Sequence, residues 1–264
     1  MKLSFGRQLA NNFPAPLKRI MHPESYFVEK FVIEKSKLIL PGQIILDAGA
    51  GEHPYESFFG HAKYESCDFD DIFSPDWKNL HTYLCDLEHI PTDNERFDAI
   101  LNTQVLEHVS EPEKVLKEFN RILKPGGKLF LTCPQSWGIH GKEPHSYFNF
   151  TKYGLRHLFE KTRFEVIEIN PIGGMPWLIG TLSAHFTHEI FHQIVFKKVN
   201  GRKKINLNPI AIFMWVPYII CIPITTLLIP LICYFIDRFD KERKFTLGYT
   251  CYCTKHEEVN NIPL

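Results

Sequence analysis

The chain has no excess charge of either sign. In 264 residues, 30 lysines and arginines stand against 30 aspartates and glutamates, which argues against a nucleic-acid backbone as partner. Its seven cysteines have no paired spacing of the zinc type; Cys251 and Cys253, two apart, read as neighbours on one face of a strand. Reduced thiols in a cytosolic setting are therefore expected. Met1 to Pro16 lacks the continuous apolar core of a leader peptide, so no export is expected. Charge is also missing from one long stretch: the 27 residues from Ile210 to Ile236 carry none and are interrupted by Pro217, Pro223 and Pro230.

What is present is organised around Ile44 to Gly51, Ile-Ile-Leu-Asp-Ala-Gly-Ala-Gly. A short apolar run that ends in Asp47 and breaks into glycines reads as a buried strand reaching the carboxyl edge of a sheet and turning sharply. Ligands bind at that edge in open α/β sheets. Upstream, Ser25 to Leu40 reads as a helix stopped by Pro41-Gly42. Downstream, a short helical stretch is expected at Pro54 to His61. Strands are expected at Ala62 to Asp68, His81 to Cys85, Phe97 to Asn102, Lys128 to Cys133 and Phe164 to Ile169.

Ser110-Glu111-Pro112-Glu113 carries the signature of a helix start, with Ser110 as the capping residue. Val115, Leu116, Phe119, Ile122 and Leu123 then recur at helical spacing. Lys124-Pro125-Gly126-Gly127 is expected to end that helix, and Thr151 to Lys161 to form another. Strands alternating with helices predict a parallel sheet covered on both faces. A further helix is expected from Trp177 to Lys198, and a last strand from Thr246 to Thr254.

These residues resemble the class I S-adenosylmethionine-dependent methyltransferases, in particular their small-molecule group. The resemblance rests on Asp47-Ala48-Gly49-Ala50-Gly51, Asp68, Cys85-Asp86-Leu87 with Ile90-Pro91, Phe97-Asp98-Ala99-Ile100, Glu107-His108-Val109 and Arg121 to Gly127 in this order. It implies a Rossmann-like α/β sheet, mostly parallel with an antiparallel last strand, and an apolar helical insertion before that strand. Residues 1–170 would form the core with its N-terminal helix, 171–245 the insertion, and 246–264 the final strand and tail.

The resemblance also implies S-adenosyl-L-methionine as cofactor. Gly49 and Gly51 would let backbone approach its methionine moiety, with Asp47 near its amino group. Asp68 would accept from the ribose hydroxyls, with Asp70 or Asp71 as alternatives. Asp86 would accept from the adenine amino group while the Leu87 amide faces the ring, and Asn102 and Gln104 would lie near the methionine end. Glu52-His53-Pro54 stand where the family often has a third glycine or threonine, which speaks further against a dinucleotide site.

Methyl transfer from a sulfonium needs in-line positioning and exclusion of water. A base is needed only if the acceptor is protonated, as a hydroxyl is. The candidates are His108, His145 and His140; His145 and His108 are taken as the catalytic pair, and no metal is expected. Two rivals stand beside this reading. His188-Glu189-Ile190-Phe191-His192 matches the zinc hydrolase pattern His-Glu-x-x-His, although the usual downstream third ligand is missing. The other rival is a methyltransferase-like scaffold without activity.

The apolar run exceeds the roughly 18 residues that mark a membrane-span candidate. If Thr246 to Thr254 returns to the sheet, both flanks of the run lie on one side of any membrane, which forbids a single crossing. Prolines should kink or break the rod. A re-entrant or interfacial helical pair is expected, touching the cytoplasmic face of a membrane through residues 205–240 with basic flanks. The expected acceptor is a small molecule, a glycan or a lipid-linked group, and no nucleic acid.

Overall fold

In the computed structural model, residues 14–69, 80–140, 144–199 and 202–257 are described. They divide into two compact units. Of the described residues, the first holds Phe27–Ile172 and residues 248–257, and the second holds residues 14–26 together with Gly173–Leu247.

The first unit is built on β1 (Ile44–Ala48), β2 (Lys63–Asp68), β3 (Tyr83–Leu84), β4 (Phe97–Thr103), β5 (Leu123–Pro134), β6 (Phe164–Pro171) and β9 (Gly248–Lys255), in the order β3-β2-β1-β4-β5-β9-β6. β1 runs parallel to β2 and β4, β2 to β3, and β4 to β5, whereas β9 is antiparallel to both β5 and β6. This is the Rossmann-like sheet with an antiparallel last strand that the resemblance implied.

Alternation along the strands divides the core between two faces. Leu46, Ala48, Ile100, Leu129 and Leu131 pack in one cluster with Leu116, Phe119 and Phe159. Ile45, Leu101 and Phe130 face the other way, against Phe31, Val32 and Phe59. A strand flanked on both faces reads as a near-continuous apolar run, which is why Ile44 to Ala48 looks as it does.

Two local expectations change. The helix after β4 covers Pro112–Ile122, and its N-cap is Glu111, without a side-chain capping bond, so Ser110 does not cap it. Pro112 takes the first helical position and forces the residue before it out of the helical region. Lys124 to Gly127 does not separate helix from strand. Phe97 pairs with Leu123 and Ala99 with Lys128, so the four residues form an irregularity inside one long strand. Lys124 Nζ donates to Asp98 Oδ1 at 2.7 Å, while Asp98 Oδ2 accepts from Ile44 N at 2.8 Å, fixing the near ends of three strands together.

In the second unit the sequence predicts one helix over Trp177–Lys198. The structure has an α-helix over Met175–Phe186, a π-turn over Thr187–Phe191 and a last helical turn over His192–Val195. β7 (Phe196–Val199) and β8 (Arg202–Ile205) then pair antiparallel. Asn208 caps the next helix by accepting from Ala211 N at 2.6 Å.

That helix continues from Pro209 to Phe239 as one apolar rod. The prolines do not break it: a π-turn at Ile224–Leu228 follows Pro223 and absorbs the missing donor and the ring. Asp237 Oδ1 accepts from Gly174 N at 2.8 Å and Asp240 Oδ2 from Met175 N at 2.8 Å, so the far end of the rod caps the start of the Met175 helix. The close packing needs Gly180, where a Cβ would come within 3.2 Å of Pro230 Cα and Cys233 Cβ. The rod is otherwise open. Only 11% of its apolar window is buried, and Ile210, Phe213, Val216, Ile219 and Phe235 are exposed.

Candidate cofactor site

The carboxyl edge of β1 forms the centre of the site. Gly49 and Gly51 both take positive φ, +80° and +53°, which residues with a Cβ rarely adopt. A methyl on Gly49 would overlap both γ-carbons of Val105, whereas one on Gly51 would meet nothing within 4 Å. The turn is thus closed on its Gly49 side and open at Gly51. The amides of Gly49 and Ala50 donate to Cys67 O at 2.8 and 3.2 Å. Gly51 N donates to Asp68 Oδ2 at 2.7 Å, and Phe69 N to Asp68 Oδ1 at 2.7 Å. These bonds hold the half-buried Asp68 carboxylate beside the turn, where its remaining lone pairs can still accept.

Asp47 is 1% exposed. Its Oδ2 accepts from Tyr64 OH at 2.6 Å, and its Oδ1 is buried without a hydrogen-bond partner. Burial pushes its carboxyl up to about 7; the Tyr64 bond opposes the shift, and the neighbouring Asp68 charge adds to it. Burial and the Asp47 charge in turn keep the Tyr64 phenol protonated. An orphaned, desolvated carboxylate oxygen is suited to an ammonium group.

His53, at φ +52°, stands against the edge of the Tyr64 ring, and its Nε2 lies 2.9 Å from His81 Nδ1. Burial lowers the His81 pKa, the Asp68 carboxylate pulls it back up, and His53 lowers it again. The residues Glu52-His53-Pro54 that replace a third glycine therefore supply an imidazole to this wall. Neither Tyr64 nor His81 was legible as part of the site, because their partners come from three separate segments.

The other expected residues fall along the same edge. Asn102 is buried, its Nδ2 donates to Ala48 O at 2.8 Å, and its Oδ1 has no hydrogen-bond partner. Gln104, at φ +55°, donates from its amide to Thr132 O at 2.9 Å and from Nε2 to Thr132 Oγ1 at 3.1 Å. Asp86 is exposed after β3, with Oδ1 accepting from Glu88 N at 2.9 Å, and Leu87 is buried. Asp70 and Asp71 lie outside the described residues. Two buried oxygens without partners, Asp47 Oδ1 and Asn102 Oδ1, the opening at Gly51 and the Asp68 carboxylate match the donors and the positive charge of S-adenosylmethionine's amino-acid and ribose groups.

A second group stands where the β4 and β5 ends continue into loops. His108 ends a 3-10 turn over Leu106–His108, and its Nδ1 lies 2.7 Å from His145 O. The His145 ring stands edge-on to Tyr147, with centroids 6.2 Å apart. The expected catalytic pair is thus joined through the His145 backbone rather than ring to ring. Next to His108 lies Glu107, fully buried with neither carboxylate oxygen hydrogen-bonded. Its Oε1 is 3.8 Å from His108 Nε2 and 3.8 Å from His140 Nε2. In the rival zinc motif, the side chains of His188 and His192 lie outside the described residues. Glu189 is exposed and accepts from Gln193 Nε2 at 3.2 Å.

Residues 47–131 match the family model described as a methyltransferase domain. An uncharacterised methyltransferase of Bacillus subtilis (strain 168), YodH, is 33% identical over 118 residues, covering 41% of this chain and 50% of the relative. A ubiquinone biosynthesis O-methyltransferase of Coxiella burnetii is 43% identical over 54 residues, 20% of this chain and 23% of the relative. The chain thus spans half or less of the length of these curated relatives. Among solved structures, a geranyl diphosphate methyltransferase in complex with SAM shares the fold at a TM-score of 0.50 and 13% identity, over 86% of this chain and 84% of that one.

Proposed function

We propose that this chain, whose core carries the class I S-adenosylmethionine-dependent methyltransferase domain, methylates an amphiphilic acceptor, a small molecule, glycan or lipid-linked group, at a membrane surface. The observation that carries the reading is the glycine turn open at Gly51 between the orphaned Asp47 oxygen and the Asp68 carboxylate. When bound, the cofactor supplies an activated methyl group on a sulfonium. Asp47 offers a countercharge to the ammonium group, and Asp68 accepts from the ribose hydroxyls. Asp86 and the Leu87 amide recognise adenine, while Asn102 and Gln104 shape the methionine end.

The chain's own part in the reaction is to orient the acceptor and exclude water. If the acceptor is a hydroxyl, His145 and His108 are the candidates to take its proton. Tyr147 and Phe148, exposed on the same segment, offer an apolar wall for the acceptor.

Membrane contact is supported by the exposed apolar rod of Pro209–Phe239 and by its basic flanks, Lys203 and Lys204 before it and Arg238, Lys241, Arg243 and Lys244 after it. Arg243 and Lys244 are paired with Asp237 and Glu242, so the attraction to anionic headgroups, about 1 kcal/mol per basic residue near the surface, rests on the other four. The ubiquinone relative, named for a lipophilic product, agrees with an amphiphilic acceptor. On this reading the reaction runs at the cytoplasmic face of that membrane.

The test pairs methyl-labelled cofactor with a membrane lipid extract and with a water-soluble extract. Label entering the lipid phase, and lost with Asp68→Ala, is the expected result. Label confined to water-soluble products would overturn the amphiphilic acceptor. Flotation with phosphatidylglycerol vesicles tests attachment: protein that remains wholly at the bottom of the gradient would overturn it.

A further inference from the structure

We propose that Glu107, His108 and His140 bind one divalent transition-metal ion of the zinc type. A carboxylate at 0% exposure with no hydrogen bond to either oxygen is costly unless a cation or donor meets it. Two imidazoles approach it, each with Nε2 3.8 Å from Oε1, beyond the roughly 3.2 Å limit of a good N–H···O bond.

The opposite ring nitrogens explain this arrangement. His108 Nδ1 lies 2.7 Å from His145 O, and His140 Nδ1 lies 2.9 Å from Gly138 O. A carbonyl only accepts, so each Nδ1 carries a hydrogen and each ring presents Nε2 towards Glu107. Backbone carbonyls fix ligating histidines in this way. One donor atom from each residue lies within 4.8 Å of the other two, so some point is no farther than about 2.8 Å from all three. Contraction by roughly half an ångström brings them to zinc bond lengths of about 2.0–2.2 Å.

Two imidazole nitrogens and one carboxylate suit zinc, iron or manganese better than calcium or magnesium, which prefer oxygen ligands alone. Three protein ligands leave a position open, as in catalytic rather than structural sites. On the methyl-transfer reading, that position takes an acceptor presenting an oxygen donor, such as a phenol or carboxylate. It also assigns His108 as a ligand and leaves His145 to take a proton.

The test uses the full chain, stripped with a chelator and titrated with Co²⁺ and then with Zn²⁺ against a chromophoric chelator. One ion per chain and visible Co²⁺ absorption of a four- or five-coordinate centre are expected. His140 sits in a partly exposed loop, so His140→Ala keeps the fold; it should weaken binding at least tenfold, while His188→Ala leaves it unchanged. No stoichiometric ion, or undiminished affinity in His140→Ala, would overturn the site. Calorimetry with S-adenosylhomocysteine on the stripped protein separates the two claims. Cofactor binding without metal binding anywhere would sink the site alone, and metal binding without cofactor binding would sink the methyl-transfer reading alone.

Discussion

Replacing Asp47 by Asn should make the cofactor-free protein less sensitive to alkaline pH while damaging cofactor binding. Unfolded Asp47 gives up its proton near 3.8, whereas in the fold burial holds that proton until about 7. A raised carboxyl pKa contributes stability that is fully present below 3.8 and is lost as pH rises to about 7. Between pH 5 and pH 7 the loss is about 2.7 kcal/mol, at about 1.36 kcal/mol per pH unit. Asn carries no such charge. Its amide nitrogen has no partner beside the buried Oδ1 position, a cost of about 1–3 kcal/mol that is constant with pH and cancels in the comparison. Urea unfolding of both proteins at pH 5 and pH 8, without cofactor, should therefore show the wild type losing about 2–3 kcal/mol more than Asp47→Asn. Parallel pH profiles would refute the assignment of a buried, proton-holding carboxyl. On binding, loss of a charge-assisted contact worth about 1.5–3 kcal/mol should weaken S-adenosylmethionine roughly tenfold to a hundredfold.

Gly49→Ala should cost about 1–3 kcal/mol in thermal stability and weaken cofactor binding, because its positive φ and the Val105 side chain both exclude a Cβ; an unchanged melting temperature would mean that the turn relaxes freely. Arg121→Ala should destabilise by about 1–3 kcal/mol, since the partly exposed Arg121 bridges the buried Glu118 and the carbonyls of Ile90 and Thr92. Cofactor affinity measured on the folded fraction should barely change, and a large loss there would give Arg121 a role in binding. Asp237→Ala removes the acceptor for Gly174 N and for Arg243 Nη2 and should lower stability by about 1–3 kcal/mol, read by urea unfolding; no change would make this latch irrelevant. Phe213→Asp with Ile220→Asp should abolish vesicle flotation without altering cofactor binding, and flotation that survives would move the attachment elsewhere.

The glycine turn could be read directly from sequence, because a buried strand and an open turn each leave a local trace: an apolar run, then Asp47, Gly49 and Gly51. The same holds for the Pro112 helix, whose buried face repeats at helical spacing, although Pro112 shifted the cap from Ser110 to Glu111. The Lys124 to Gly127 segment misled because a proline and two glycines look like a break, while Asp98 and Leu123 keep it attached to the sheet. The β7–β8 pair was missed because the helical spacing before it runs on through Phe196 to Lys198.

Long-range partnerships left no such trace. Glu107 stands beside apolar residues in a motif that gives it no role, and it meets His140 only because two strand ends carry their loops to the same edge. Tyr64, His53 and His81 likewise meet only through strand register and an unusual φ at His53.

Calorimetric titration of the full-length chain with S-adenosylmethionine and its demethylated product tests the central claim most directly. One site of micromolar affinity, weakened well over tenfold in Asp68→Ala, is the result expected if the glycine turn and its carboxylates hold the cofactor. No heat of binding with either compound, from protein shown to be folded, would contradict the account.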